Sequence, residues 1–400
     1  MKRRNFIKLT STASAISLLP SQVTASLNIA KSFLDCTISN RKLVLINLAG
    51  GNDGLNTVIP YRNDLYYSNR PGISIPKNKL IDINGELGLH ENLSHLKALY
   101  DKGYLSIINN IGYPNPNRSH FRSTDIWHTA SNASEYLDSG WMGRFIDQYG
   151  KKPYSGIEVD DSLSLILKGR TINGVATKDA KKMFNNAKAP FFSKLIKTQT
   201  ENHLNEHNLG YLYKTMVGAQ SSAKYIYETS KTTTSTKSYP NNPFAKQLKT
   251  TAEFINSKLE TKVYYVSMGG FDTHANQANR QSRLLKTFSE AMDIFVKDLE
   301  ASDSFKDTLI LTFSEFGRRV QQNAAGGTDH GAANNLFVIA KNLKKPGLYN
   351  DSADLTNLDK NGDLKYTIDF RSVYATLLDQ WLDASHSKVL GSSFETLDFI

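Results

Sequence analysis

The sequence predicts an α/β fold built on a mainly parallel sheet, and three observations carry that expectation. Apolar, β-branched runs at 42–48, 105–111, 263–268 and 308–313 have the near-continuous hydrophobicity of strands buried on both faces. Amphipathic stretches of helical period separate them. Polar residues cluster directly after the runs, where open α/β sheets bind their ligands, at the carboxyl ends of the strands. A chain of 400 residues with 40% hydrophobic content, 25 Gly and 11 Pro is globular, with core enough for one large or two smaller domains.

The first 25 residues read as an export signal: the twin-arginine pattern KRRNFIK, a modestly apolar segment at 9–19, and the small-residue site Val23-Thr24-Ala25. That segment is too short and too rich in Ser and Thr to span a membrane. Twin-arginine export carries proteins already folded, often with a cofactor loaded, so a periplasmic or secreted location is expected. The formal charge is +10, and removing the four basic residues of the signal, Lys2, Arg3, Arg4 and Lys8, leaves +6. This moderate basicity suits an anionic substrate or a solvated basic surface. No interleaved basic and aromatic motif argues for nucleic acid. Cys36 is the only cysteine, so no intramolecular disulfide can form. Acidic Asp35 before it argues against lipid attachment.

The first strand run, KLVLINL, ends in Ala49-Gly50-Gly51-Asn52-Asp53-Gly54, which places Asp53 just past its carboxyl end. Asp53 is either an oxygen ligand for a metal or part of an ordinary Asn-Asp-Gly turn. A helix is expected at 92–103. The run at 105–111 leads through a Pro- and Asn-rich turn to Arg118, Ser119 and His120 and then a helix to about 130. Ser119 therefore sits at a strand-to-helix junction, where it is a helix cap or a hydroxyl activated by the helix dipole. His120 reads as an ordinary satisfied or exposed histidine. Residues 141–149 look helical, 157–167 hold short strand-like runs, and 180–231 mix Lys, Asn and Thr with helical pattern. The KTTTSTKS tract at 231–238 reads as a linker or flexible loop. The block at about 150–260 is expected to form a helical insertion or cap beside the main sheet.

Order returns with a helix at 243–258 and the strand run at 263–268, which ends in Gly269-Gly270-Phe271-Asp272-Thr273-His274. Asp272 and His274, two apart on a loop, can turn toward one cation and suit zinc or a similar divalent metal. A long helix is expected at about 277–301. After the strand run at 308–313 come Glu315, Arg318, the Gly326-Gly327 turn, Asp329 and His330, and then another apolar run at 336–340. A short strand and a terminal helix are expected at 366–382. Asp53, Ser119, Asp272, His274 and Glu315 all follow core strands and His330 precedes one, so a parallel sheet can gather them on one face. Carboxylates, imidazoles and a hydroxyl at a helix start are what a one- or two-metal hydrolase needs.

The blocks LVLINLAGGNDGLNTVIPY, GLHENL, NRSHFRSTDIWHTA, GWMGRFID, FDTHANQ, SEFGRR and GGTDHGAAN together resemble the domain-of-unknown-function 1501 family of exported bacterial proteins, over about residues 42–384. That family is grouped with the alkaline phosphatase and sulfatase superfamily. The resemblance implies a three-layer sandwich of helices around a mainly parallel sheet, here one domain at 40–400, with a metal site at the strand ends. By position it implies that Asp53 is the first-strand ligand, Ser119 the nucleophile, and Asp272, His274 and His330 the ligands of one metal. Glu315 stands where the superfamily has an Asp-His pair, and Phe316 follows it, so one histidine ligand of a second metal is absent. The expected activity is metal-dependent hydrolysis of a phosphate or sulfate ester. Asp53, Asp272, His274, Glu315 and His330 are expected to hold one or two divalent ions such as zinc, and Arg118 or Arg318 to neutralise substrate oxygens. Two rivals stand beside it: a non-catalytic periplasmic or cell-surface binding protein keeping the fold, and a metal-free serine esterase using Ser119, Asp329 and His330.

Overall fold

The computed structural model describes residues 40–190 and 207–400; the expected export signal and Cys36 lie outside them. From Arg41 to Ile400 the chain forms one compact unit. Its nine-stranded sheet is centred on β1 (Lys42–Leu48), flanked by β8 (Val263–Met268) and β9 (Thr308–Phe313), both parallel to it. These three strands begin and end where the apolar runs do, because strands covered on both faces leave no room for polar interruptions. Beyond β9 lie β10 (Asn334–Ile339) and then β5 (Leu105–Gly112), with the short β11 (Gly347–Leu348) and β12 (Ile368–Asp369) on β5.

Alternate side chains of β1 enter opposite cores. Val44, Ile46 and Leu48 meet the helices Ser94–Asp101, Pro243–Asn256 and Gln277–Ala301 on one face. Leu43 and Leu45 meet the helices His120–Thr129, Trp141–Phe145 and Phe370–Thr376 on the other. This gives the expected three layers. The helix Gln277–Ala301 buries Leu285, Phe288, Met292, Phe295 and Leu299, a stripe of helical spacing. Pro243 opens its neighbour at the first helical position, with the Asn242 side chain accepting the Ala245 N–H at 2.9 Å.

The direction of β10 decides where the site lies. It runs antiparallel to both β9 and β5, so the start of β10 sits at the same edge of the sheet as the carboxyl ends of β1, β5, β8 and β9. The loop between β9 and β10, which carries Glu315 and His330, is thereby held at one edge at both of its ends.

The middle block departs from expectation. Rather than lying only beside the sheet, it adds β6 (Gly156–Glu158) on β8 and β7 (Val175–Ala176) on β6, both parallel. β6 overlaps the strand-like run expected at 157–167, whereas β7 is too short to show a period in the sequence. The 231–238 tract is also fastened. The Ser235 hydroxyl donates to the Asp298 carboxylate, the Ser235 N–H to Glu253 at 3.1 Å, and the Tyr239 hydroxyl to Asp298 at 2.9 Å. No described helix is long and apolar enough to cross a membrane.

Candidate metal centre

Two glycines let the turn after β1 press against its neighbours, Gly50 on the loop after β8 and Gly51 on the Phe316 ring. Gly50 and Gly51 have φ of +119° and +75°, and a Cβ at Gly50 would strike the backbone of Phe271 and Asp272. The loop after β9 turns back on itself through Gly317 N–H to Ala332 C=O at 3.0 Å, Gly331 N–H to Gly317 C=O at 2.8 Å and Arg319 N–H to Asp329 C=O at 3.0 Å. That small ladder aims His330 at Asp272 and His274.

Three imidazoles surround one carboxylate oxygen. From Asp272 Oδ1 it is 3.0 Å to His274 Nε2, 3.2 Å to His330 Nε2 and 3.5 Å to His120 Nε2. His274 Nε2 and His330 Nε2 are 2.9 Å apart. Among the described residues, His120, Asp272 and His330 offer ligand atoms that all lie within 4.8 Å of one another.

The opposite nitrogen of each ring is already engaged. His330 Nδ1 donates to the Arg118 carbonyl at 2.7 Å, His274 Nδ1 to Asp329 Oδ1 at 3.1 Å and His120 Nδ1 to Glu315 Oε1 at 2.8 Å. A proton on each Nδ1 leaves a lone pair on each Nε2, and each of those nitrogens lies within 3.5 Å of Asp272 Oδ1. His120 Nε2 is buried with no hydrogen-bond partner. Lone pairs this close repel unless a proton or a cation lies among them. Tetrahedral zinc with bonds of about 2.0–2.1 Å spaces its ligand atoms roughly 3.3 Å apart, near the separations from Asp272 Oδ1 to each ring, so His120, Asp272 and His330 suit a divalent ion, with His274 against two of them.

Glu315 is thus placed behind His120 rather than among the atoms around Asp272 Oδ1. Its carboxylate also accepts the Gly50 N–H at 2.8 Å, tying the turn after β1 to the same support. Burial pushes the Asp272 carboxyl up, but the hydrogen bond and the charge of the Arg318 guanidinium, with the adjoining imidazoles, outweigh it and hold the group at about 2. The hydrogen bond to Glu315 raises His120 above its ordinary value, whereas burial lowers His330. Phe316 packs beside the cluster, its ring centre 4.9 Å from that of His120 and 4.7 Å from that of His330.

The structure does not bring Asp53 into this group, in contrast to its expected place as first-strand ligand. Its side chain is fully buried, with Oδ2 bound by Arg70 Nη1 at 2.6 Å and by Gln277, and Oδ1 capping the Leu55 N–H at 3.2 Å. A guanidinium already neutralises it. Removing one partner of such a pair strands the other charge, so Arg70→Met is expected to destabilise the fold by about 3–5 kcal/mol, read from the shift of the denaturant midpoint.

Both arginines expected to face substrate are occupied. Arg318 is buried and donates to the carbonyls of Gly51 at 2.7 Å, Thr328 at 2.9 Å and Phe271 at 3.0 Å, to that of Gly50, and to Asp272 Oδ1 at 2.7 Å. Arg118 turns to the Asp363 carboxylate, with Asp359 3.8 Å away. Ser119 stands exposed at the start of its helix, and its side chain makes no capping bond. Its neighbours on either side, the Arg118 carbonyl and the His120 ring, both touch the imidazole group.

A family model described as a protein of unknown function, DUF1501, matches residues 40–392. The chain belongs to that family. None of the curated proteins matches it. Among solved structures, the chain is similar to the PsFucS1 sulfatase from Pseudoalteromonas sp., at 10% identity over 95% of this chain and 75% of that one, with a TM-score of 0.40. It is similar to the C-terminal periplasmic domain of EcEptC from Escherichia coli in complex with Zn, at 13% identity over 75% and 72%, with a TM-score of 0.38. A protein in the alkaline phosphatase superfamily from Vibrio parahaemolyticus is similar at 9% identity over 88% and 69%, also with a TM-score of 0.38.

Within this DUF1501 chain, His120 is the functional candidate that sequence reasoning passed over. Its signal was its place directly after Ser119 at a strand-to-helix junction, the same position that drew attention to the hydroxyl.

Proposed function

We propose that this DUF1501 protein is an exported metal-dependent hydrolase of phosphate or sulfate esters, with one divalent ion held by His120, His274, His330 and Asp272. The observation that carries this reading is the convergence of three imidazole Nε2 atoms, each with its Nδ1 already committed to an oxygen. A divalent cation bound there supplies positive charge against a phosphoryl or sulfuryl oxygen. Asp329, Glu315 and the Arg118 carbonyl hold the rings in the required tautomer. Arg318 holds Asp272 ionised and fixes its orientation. The Ser119 hydroxyl, exposed and uncapped at the start of a ten-residue helix, is the nucleophile, and the helix N-terminus lowers the cost of negative charge on its oxygen. The twin-arginine pattern supports export.

Zinc-loaded protein is expected to turn over p-nitrophenyl phosphate or sulfate, to lose the activity to a chelator and to regain it with zinc. Absence of turnover on both esters with the ion bound would favour a second reading, a non-catalytic metal-bearing binding protein. That alternative draws on a specific observation: Arg318 is wholly taken up by backbone carbonyls and Asp272, and Arg118 turns to Asp363.

Cation affinity is expected to fall with pH. His120 titrates above its ordinary 6.5 and must shed its proton to bind an ion, so affinity drops as pH falls through that raised value. The limiting slope is about one log unit of affinity per pH unit, measured by zinc competition titrations from pH 6 to 8.

A further inference from the structure

One buried amide joins two of the loops that carry the imidazole group. Gln277 opens the helix Gln277–Ala301 and is buried, as are Thr273 and Thr328. Its side-chain oxygen accepts both threonine hydroxyls, that of Thr273 at 3.3 Å and that of Thr328 at 2.5 Å. Thr273 stands between Asp272 and His274 in the loop after β8, and Thr328 lies two residues before His330 in the loop after β9. A single oxygen atom therefore ties the two loops together right beside their donors. The backbones meet at the same place: the Thr328 N–H donates to the Thr273 carbonyl at 3.4 Å, and a Cβ at Gly327 would strike the backbone of His274.

The orientation of this amide is forced by its other end. Its nitrogen donates to Asp53 Oδ2, a carboxylate oxygen that accepts, so its own oxygen has to face the hydroxyls. Asp53 is held in turn by Arg70 Nη1 at 2.6 Å, and Arg70 also donates to the carbonyls of Val320 at 2.8 Å and Arg319 at 2.7 Å in the loop after β9. Turning the amide over would set oxygen against carboxylate and leave buried groups without partners. Resting on the reading of a cation held by the imidazole group, we propose that Gln277 is a positioning residue of that site. Through Thr273 and Thr328 it fixes the separation of His274 from His330, whose Nε2 atoms are 2.9 Å apart, and Asp53 serves by orienting Gln277. The turn after β1 thereby takes part in the centre without lending it a ligand.

Cobalt(II) added alone to the metal-free protein tests this without recourse to turnover, because its visible absorption reports ligand geometry while its titration reports affinity. Gln277→Met, which keeps the chain length and removes the amide, is expected to lower cobalt affinity by about 10–100-fold and to alter the absorption band. Thr328→Val, close to threonine in shape but without the hydroxyl, is expected to weaken binding in the same direction, and Thr328→Ser to stay within about threefold of the unaltered protein. Combining Thr328→Val with Gln277→Met should cost no more than Gln277→Met alone, since both changes break one contact. Should Gln277→Met fail to fold, the two Thr328 variants decide. Additive losses in the double variant, a loss in Thr328→Val that Thr328→Ser shares, or a lower thermal midpoint with cobalt affinity and band unchanged would each overturn the proposal. If the unaltered protein takes up no cobalt, the cation site fails and this inference with it; if it binds cobalt and the variants bind it equally well, the cation site stands and the role of Gln277 falls.

Discussion

Replacing His330 with alanine is expected to strip the protein of its cation, reducing zinc affinity by more than the roughly 10–100-fold that follows loss of a supporting group. His330 Nε2 lies 2.9 Å from His274 Nε2 and 3.2 Å from Asp272 Oδ1, so its removal opens the donor set on two sides. His274→Ala should do the same with less strain on the fold, since that side chain is 44% exposed. Glu315→Gln provides the graded comparison. It weakens the support of His120 without removing a donor, and the loss should fall within the 10–100-fold range. Competition with a zinc chelator reads all three. Unchanged affinity in both histidine variants would mean that the imidazoles are held together for packing alone.

The second large effect is on turnover. Ser119→Ala is expected to lower the rate on the preferred ester on the order of 10³-fold or more, with the cation retained. An N-cap serine normally stabilises its helix by about 0.5–2 kcal/mol, but the Ser119 side chain makes no capping bond here. The thermal midpoint should therefore stay where it is while activity disappears. A structural serine would give the opposite pattern, and a non-catalytic binding protein would show no change at all.

Much of this framework was legible in the sequence, and the reason is physical. β1, β8 and β9 are buried on both faces, so their ends coincide with the ends of apolar runs. The helix Gln277–Ala301 carries a regular stripe. The loop positions of Asp272 and His274 followed from the same logic, since residues just past parallel strands share an edge. What escaped was whatever depends on tertiary partners. The antiparallel course of β10 has no local signature, and it is this course that brings His330 to the site edge.

Asp53 illustrates the difficulty best. Its turn looks like that of a metal ligand, and only the fold reveals that Arg70, from a stretch without strong pattern, already neutralises it. Glu315 and His120 exchanged their expected parts for a related reason. A carboxylate can serve an ion directly or steady the imidazole that does, and spacing along the chain cannot distinguish the two.

The central claim is that three imidazoles share one cation. X-ray absorption on the zinc-loaded protein, with metal content measured on the same sample, tests it most directly. The account predicts about one zinc per chain, with three imidazole nitrogens at about 2.0–2.1 Å. Less than about 0.1 equivalent retained after zinc is supplied, or a coordination shell without imidazole, would contradict it.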